Sequence, residues 1–297
     1  MSSSSPVVLI TGCSSGIGFA LANEFDKQGC VVYASARRLL SLSALPERVH
    51  KLELDVGKVE SCKAAVDRII AEQARIDILV NNAGQGGTGA LLDADYDGEE
   101  GAKAVFDTNF FAPLRLSKLV VPHMVERRSG LIINIGSIVG NVPTPWSGIY
   151  SASKAALHSA TETLRMEVKG FGINVFLVAP GAITSEFGRK QLESIKTPEE
   201  SLYKHVEDKI IARANASQQA GHGTVPASVL AEGVVRRALR PDPPTFWTVG
   251  GRSFLFFLLE RIPRPVVWFG LSRMLGSDQV GKTRTPAEGE GVKTRTE

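Results

Sequence analysis

The stretch Val7-Val8-Leu9-Ile10-Thr11-Gly12-Cys13-Ser14-Ser15-Gly16-Ile17-Gly18 decides the fold. Four apolar residues in a row read as a short strand buried on both faces, since a half-buried strand would alternate. Glycines at 12, 16 and 18 follow at once, and a helical pattern runs from Ile17 to Gln28. A strand that enters a glycine turn and then a helix brings backbone amides and a helix N-terminus to one point. That arrangement suits a pyrophosphate, with Ser14 and Ser15 able to add hydroxyl contacts. The same glycines can also serve chain geometry alone.

The pattern repeats outward. Val31 to Ala34 reads as a second strand, Val49 to Leu54 as a third, Val59 to Ala74 as a helix and Ile78 to Val80 as a fourth strand. A long helix is expected from Gly101 to Arg128, then a strand from Leu131 to Ile135, a helix from Tyr150 to Gly170 and a strand from Ile173 to Val178. Ala227 to Leu239 reads as a further helix and Thr245 to Val249 as a last strand. Strands alternating with helices predict an α/β fold, a Rossmann-type doubly wound parallel sheet in one domain spanning 7–250. A dinucleotide site then lies along the carboxyl ends of the strands. The second strand ends in Arg37 and Arg38 with no acid, which favours a cofactor carrying a 2′-phosphate, NADP(H), over NAD(H). Asp55, at the end of the third strand, sits where an adenine ring would lie, or caps the following turn. Asn81-Asn82-Ala83-Gly84 offers small residues where backbone borders a cofactor, or simply a turn.

The chemistry is carried by Ser137 to Lys154. Tyr150 and Lys154, four apart on a helix, share one face, so an ammonium lies beside a phenol. A nearby cation favours phenolate, and Tyr150 could then exchange a proton with a carbonyl or alcohol oxygen. Ser137, just past the strand at Ile135, can hydrogen-bond the same oxygen. This is equipment for carbonyl reduction. Asn109, inside an apolar run, is either a bracket between elements or the holder of an ordered water. Pro143, Pro145 and Trp146 either form an apolar wall for a lipid-like substrate or pack as ordinary loop residues.

Composition narrows the classes. A net charge of +3 over 297 residues, with no block of Lys and Arg, argues against nucleic acid as partner. Cys13, Cys30 and Cys62 form no paired motif and suit reduced thiols; the five histidines have no metal-ligand spacing, so no metal is expected. Residues 1–6 read as a flexible tail without a secretory pattern. The polar stretch 182–226, with Arg189, Lys190, Lys196 and Lys204, is placed to be a substrate lid. Residues 251–275 carry F-L-F-F-L-L and V-V-W-F-G-L between arginines and prolines. They are too interrupted to span a bilayer, but suited to lie on a membrane surface or to cover a partner. Residues 276–297 read as a disordered polar tail.

Taken together, T-G-C-S-S-G-I-G, Asp55-Val56, N-N-A-G, Asn109, Ser137, Y-S-A-S-K and Pro180-Gly181 resemble the short-chain dehydrogenase/reductase family in order and spacing. The resemblance implies Tyr150 as general acid, Ser137 polarising the substrate oxygen, Lys154 lowering the tyrosine pKa and holding the nicotinamide ribose, and Asn109 supporting a proton-relay water. It places Gly12, Ser14, Gly16, Ile17 and Gly18 along the pyrophosphate, Arg37 at the 2′-phosphate, and Asp55 and Val56 at the adenine. Asn82, Ala83 and Gly84 fall on the ribose side, and Pro180, Gly181, Ile183 and Thr184 around the carboxamide. A homodimer through the Tyr150 helix is also implied. Within the family, V-Y-A-S-A-R-R-L, N-N-A-G-Q and the aromatic C-terminal segment are similar to fungal NADPH-dependent 1-acyldihydroxyacetone phosphate reductases. That group implies a lipid-like substrate and a lipid-droplet or endoplasmic-reticulum surface, the alternatives being a cytoplasmic enzyme and a ketoreductase of secondary metabolites, steroids or retinoids.

Overall fold

The computed structural model describes residues 5–184, 195, 197–215 and 223–282. A parallel seven-stranded sheet forms its centre, in the order β3-β2-β1-β4-β5-β6-β9. The strands are β1 (Val7–Ile10), β2 (Val31–Ala36), β3 (His50–Glu53), β4 (Ile78–Asn81), β5 (Gly130–Ile135), β6 (Ile173–Pro180) and β9 (Phe246–Val249). The strand order leaves β1 in opposite directions through β2 and β4, with registers Val7↔Val31 and Val8↔Ile78. At such a switch point the connections diverge above the strand ends and leave a crevice.

The apolar run of β1 is continuous because both of its faces are covered. Val8 and Ile10 join a core with Phe25 of α1 (Gly16–Lys27) and with Leu230 and Val234 of a later helix. Val7 and Leu9 face the opposite layer. There they meet Ile69 of α2 (Val59–Gln73) and Leu116, Val120 and Met124 beyond Phe111. The expected doubly wound α/β fold is the observed one.

The long helix expected from Gly101 to Arg128 is divided. It comprises α3 (Ala102–Phe106), a π turn over Asp107–Phe111, and α4 (Ala112–Glu126). Pro113 accounts for the wide turn: it has no N–H for the Asn109 carbonyl four residues earlier, and its ring needs room there. The turn holds Asn109 in the interior, with no exposed surface.

After β5, Ile138–Gly140 makes a short 3-10 turn, and α5 (Gly148–Val168) carries Tyr150 and Lys154. The insertion after β6 leaves and returns at one place, where β7 (Ile183–Thr184) pairs with β8 (Val225–Pro226). Its described part contains α6 (Glu207–Asn215), and α7 (Ala227–Ala238) then covers the sheet. Arg189, Lys190 and Lys196 lie outside the described residues. The C-terminal aromatic segment folds as α8 (Ser253–Leu259) and α9 (Arg264–Leu275). The polar tail begins later than the sequence suggests. Ser277–Gln279 form a 3-10 turn and Val280 packs on a cluster containing Trp146, an apolar anchor that a polar neighbourhood conceals. The part of the expected tail beyond Lys282 lies outside the described residues.

Candidate active site

The glycine turn is built for close approach. Gly12 has φ +73°, and a methyl there would come within 2.8 Å of the Ala83 Cα. A methyl on Gly18 would overlap the Gly12 carbonyl oxygen and the Asn82 amide nitrogen. Asn82 ties the two loops, donating from Nδ2 to the carbonyls of Thr11 (2.8 Å) and Gly12 (3.1 Å). Thr11 ties them again, its Oγ1 accepting from the backbone N–H groups of Asn82 (3.0 Å) and Ala83 (2.9 Å). Ser15, at the N-cap of α1, makes no side-chain cap, so the first-turn amides keep their capacity for an anion.

Arg37 and Arg38 follow the end of β2, exposed and without an ion pair to any described residue. Asp55 stands beyond β3 and accepts from the Gly57 N–H (3.1 Å), so it does cap its turn. Val56 is next to it. The groups expected around the far end of the crevice, Pro180, Gly181, Ile183 and Thr184, sit where β6 passes into β7. A cradle that only glycine permits, open amides at a helix start and free arginines beyond the second strand fit a dinucleotide with a 2′-phosphate. The residues named from the sequence stand at or beyond the carboxyl ends of β1 to β6.

Tyr150 hydrogen-bonds Ser137 through their side chains. Lys154, on the next turn of α5, has its Nζ 5.9 Å from the centre of the Tyr150 ring and donates to the Ile135 carbonyl at 2.8 Å. Burial holds the phenol above its ordinary pKa; the Ser137 bond and the charge of Arg213 pull the other way. Burial also lowers Lys154 to about 8. At neutral pH the site therefore holds a neutral phenol, able to donate, beside an ammonium.

The Asn109 side chain makes the hydrogen bonds of a bracket. Its Oδ1 accepts from the Gln85 N–H (2.8 Å), and its Nδ2 donates to the Gln85 carbonyl (2.9 Å) and to Ser153 Oγ (3.0 Å). Ser153 in turn donates to the Tyr150 carbonyl at 2.8 Å. Both amide hydrogens are thereby committed to protein acceptors. The amide links the loop after β4 to the backbone under the catalytic candidate.

Several contributors escaped the sequence reading. The Ser137 N–H donates to His158 Nε2 (3.2 Å), and His158 Nδ1 lies 2.7 Å from Asn141 Oδ1. Asn141 donates onward to Glu260 at 2.6 Å, linking α8 to the serine. Burial and the Lys154 charge lower His158 to about 4, so it is neutral and accepts at Nε2. Arg213 of α6 reaches Thr144 Oγ1 with Nε (3.2 Å) and Nη2 (3.1 Å). Trp146, expected as a substrate wall or loop packing, is a buried pin. It donates from Nε1 to the Leu275 carbonyl (2.8 Å) and meets Tyr203 edge-on, holding α9 and the insertion to the site. Lys204 is paired with Glu199 (2.9 Å) and Glu207 (3.1 Å).

Comparison with known proteins is decisive at this point. The family model described as short chain dehydrogenase matches residues 6–196. The chain belongs to that family. A Short-chain dehydrogenase PC-15 of Penicillium crustosum is 36% identical over 261 residues, covering 86% of this chain and 93% of the relative. The NADPH-dependent 1-acyldihydroxyacetone phosphate reductase of Saccharomyces cerevisiae is 27% identical over 282 residues, covering 92% of each. Among solved structures, a short chain dehydrogenase of Burkholderia cenocepacia in complex with NADP superposes with a TM-score of 0.70 at 25% identity. The match covers 90% of this chain and 97% of that one. As a short-chain dehydrogenase, this chain is an oxidoreductase.

Proposed function

We propose that this short-chain dehydrogenase is an NADPH-dependent carbonyl reductase acting on a ketone of a lipid-like substrate, 1-acyldihydroxyacetone phosphate being the best candidate. The observation that carries the chemistry is the Tyr150–Ser137 hydrogen bond with Lys154 one helical turn behind it. NADPH, bound along the glycine turn with Arg37 at its 2′-phosphate, supplies the hydride. Ser137 Oγ holds the substrate oxygen, and Tyr150, kept protonated by burial, gives it a proton as the carbonyl becomes an alcohol. Lys154 Nζ lies beside this pair and holds the ribose. Asn109 fixes the Tyr150 backbone through Ser153. The insertion 182–226 acts as the lid.

The C-terminal helices support a membrane-facing reading. Phe254, Val266, Trp268 and Phe269 are 57–72% exposed on them, while Phe256, Val267 and Leu271 pack against Ile138, Val139 and Val142 beside Ser137. Arg261 stacks on Phe257 at 3.6 Å and Arg273 lies 5.2 Å from the Phe269 ring. Aromatics flanked by arginines suit the headgroup boundary of an anionic bilayer. No helix among the described residues is long and apolar enough to cross a membrane. The proposed setting is the cytosolic face of an endoplasmic-reticulum or lipid-droplet surface.

The test is NADPH consumption by the full chain in detergent, on 1-acyldihydroxyacetone phosphate and on phosphate-free steroid, retinoid and polyketide ketones. Saturable turnover of the acyl phosphate supports the assignment. Turnover confined to neutral ketones overturns the substrate and favours a ketoreductase of secondary metabolism. Flotation with phosphatidylserine vesicles tests the surface; equal flotation after Phe254→Ser, Trp268→Ser and Phe269→Ser together would remove it.

A further inference from the structure

Three residues on successive turns of α5 address the end of β5. Tyr150 hydrogen-bonds the Ser137 side chain, Lys154 donates to the Ile135 carbonyl at 2.8 Å, and His158 accepts from the Ser137 N–H at 3.2 Å. Spacings of four keep all three on one face of the helix. The reaction proposed above uses the first two and gives His158 no part, yet it is His158 that holds the backbone of the serine. Glycines on either side of Ser137 make room for its ring. A methyl on Gly136 would overlap His158 Nε2, and one on Gly140 would come within 2.7 Å of Cε1. His158 and Ser137 are both buried, and a buried N–H needs an acceptor.

The hydrogen bonds run in one direction. Burial leaves the ring neutral, so a single nitrogen carries its proton. With Nε2 accepting from Ser137, that proton is on Nδ1, which lies 2.7 Å from Asn141 Oδ1. Asn141 Nδ2 donates to Glu260 at 2.6 Å, and Arg264 Nη2 donates to the Asn141 carbonyl at 3.0 Å. Every donor from Ser137 to Asn141 thus points toward a carboxylate, the arrangement in which successive hydrogen bonds strengthen one another. Glu260 follows α8 and Arg264 opens α9, and Phe256, Val267 and Leu271 of these helices pack on Ile138, Val139 and Val142.

We propose that His158 is a positioning residue for Ser137, and that Asn141 and Glu260 extend its hold to the C-terminal helices, which thereby set how well Ser137 Oγ meets the substrate oxygen. The proposal rests on the reductase reading above. The Ser137 contact strengthens as charge develops on that oxygen, so a misplaced serine lowers kcat rather than raising KM.

Two measurements on the full chain separate the hold from the reaction. The first is nitrogen-15 NMR of the histidine rings at neutral pH with NADP⁺ bound, the His158 signal being the one lost in His158→Gln. A neutral ring with its proton on Nδ1 is expected, and Asn141→Ala and Glu260→Ala should each move the Nδ1 resonance. A proton on Nε2, or a signal indifferent to both changes, overturns the proposal. The second is steady-state reduction by NADPH of the best substrate from a panel of phosphorylated and neutral ketones. His158→Phe keeps the bulk of the ring and loses the acceptor, whereas His158→Gln returns an amide oxygen near the place of Nε2. The expected kcat is at least tenfold lower in His158→Phe and largely restored in His158→Gln, at least threefold lower in Glu260→Ala and restored in Glu260→Gln, with KM for ketone and NADPH within about threefold of wild type throughout. Glu260 is exposed, so its variants report even where His158→Phe does not fold. Wild-type kcat in Glu260→Ala, or losses carried by KM, overturns the positioning role. The Nδ1 proton with both of its responses, and no ketone reduced by wild type, supports the hold on Ser137 and overturns the reductase reading. Ketone reduction at unchanged kcat in the variants does the reverse.

Discussion

Replacing Asn109 by Ala deletes three hydrogen bonds at once, two to the Gln85 backbone and one to Ser153. Each such bond contributes about 1 kcal/mol net, so the expected loss of stability is about 3 kcal/mol. With a urea dependence of about 3 kcal/mol/M, the unfolding midpoint should fall by about 1 M, read from tryptophan fluorescence. Asn109→Asp sharpens the reasoning. It keeps an acceptor for the Gln85 N–H but turns carboxylate lone pairs toward the Gln85 carbonyl. Burial among acceptors raises the folded-state pKa of that Asp above its unfolded value. Protonation then restores a donor, and Asn109→Asp should recover stability relative to wild type as pH falls from 7 toward 5. Turnover should fall in both variants, because Ser153 and the Tyr150 carbonyl lose their tether. A midpoint shift below about 0.3 M together with lost activity would refute the bracket and return Asn109 to the role of holding a water.

His158 has a folded pKa of about 4 against an ordinary value of 6.5, so the unfolded chain binds more protons between those values and stability falls as pH drops through that window. The loss should approach about 3 kcal/mol at pH 4, and His158→Gln should flatten that part of the unfolding curve; identical curves would remove the buried-neutral assignment. Gly18→Ala should abolish NADPH binding and cost about 1–3 kcal/mol in thermal unfolding, since the added methyl meets backbone on one side and Asn82 on the other. Arg37→Asp should raise the KM for NADPH at least tenfold while improving NADH, and unchanged coenzyme selectivity in steady-state kinetics would refute its role at the 2′-phosphate.

The sheet was readable because parallel strands covered on both faces leave unbroken apolar runs, as at Val7 to Ile10 and Leu131 to Ile135. The Tyr150–Lys154 pair was readable because helical spacing alone puts them on one face. The π turn at Asp107–Phe111 was not, although Pro113 carried its cause, because an apolar helical pattern continues smoothly across it. The burial that raises the Tyr150 pKa and lowers that of Lys154 was not readable, because helical spacing does not report it. Arg213 was hidden for a further reason. It sits 63 residues beyond Tyr150 and reaches Thr144 only because Val206 and Ile210, around the start of α6, pack in one cluster with Ala90 and Trp146. Trp146 itself was noticed for its bulk, but its bond to Leu275 joins segments that nothing local connects.

The most direct test of carbonyl reduction at Tyr150 uses NADPH deuterated at C4 and a panel of ketones with and without phosphate, with mass spectrometry of the products. The full chain should yield an alcohol one mass unit heavier, and Tyr150→Phe, still binding NADPH, should yield at least a hundredfold less. Undeuterated alcohol, or Tyr150→Phe labelling product at the wild-type rate, would contradict the account.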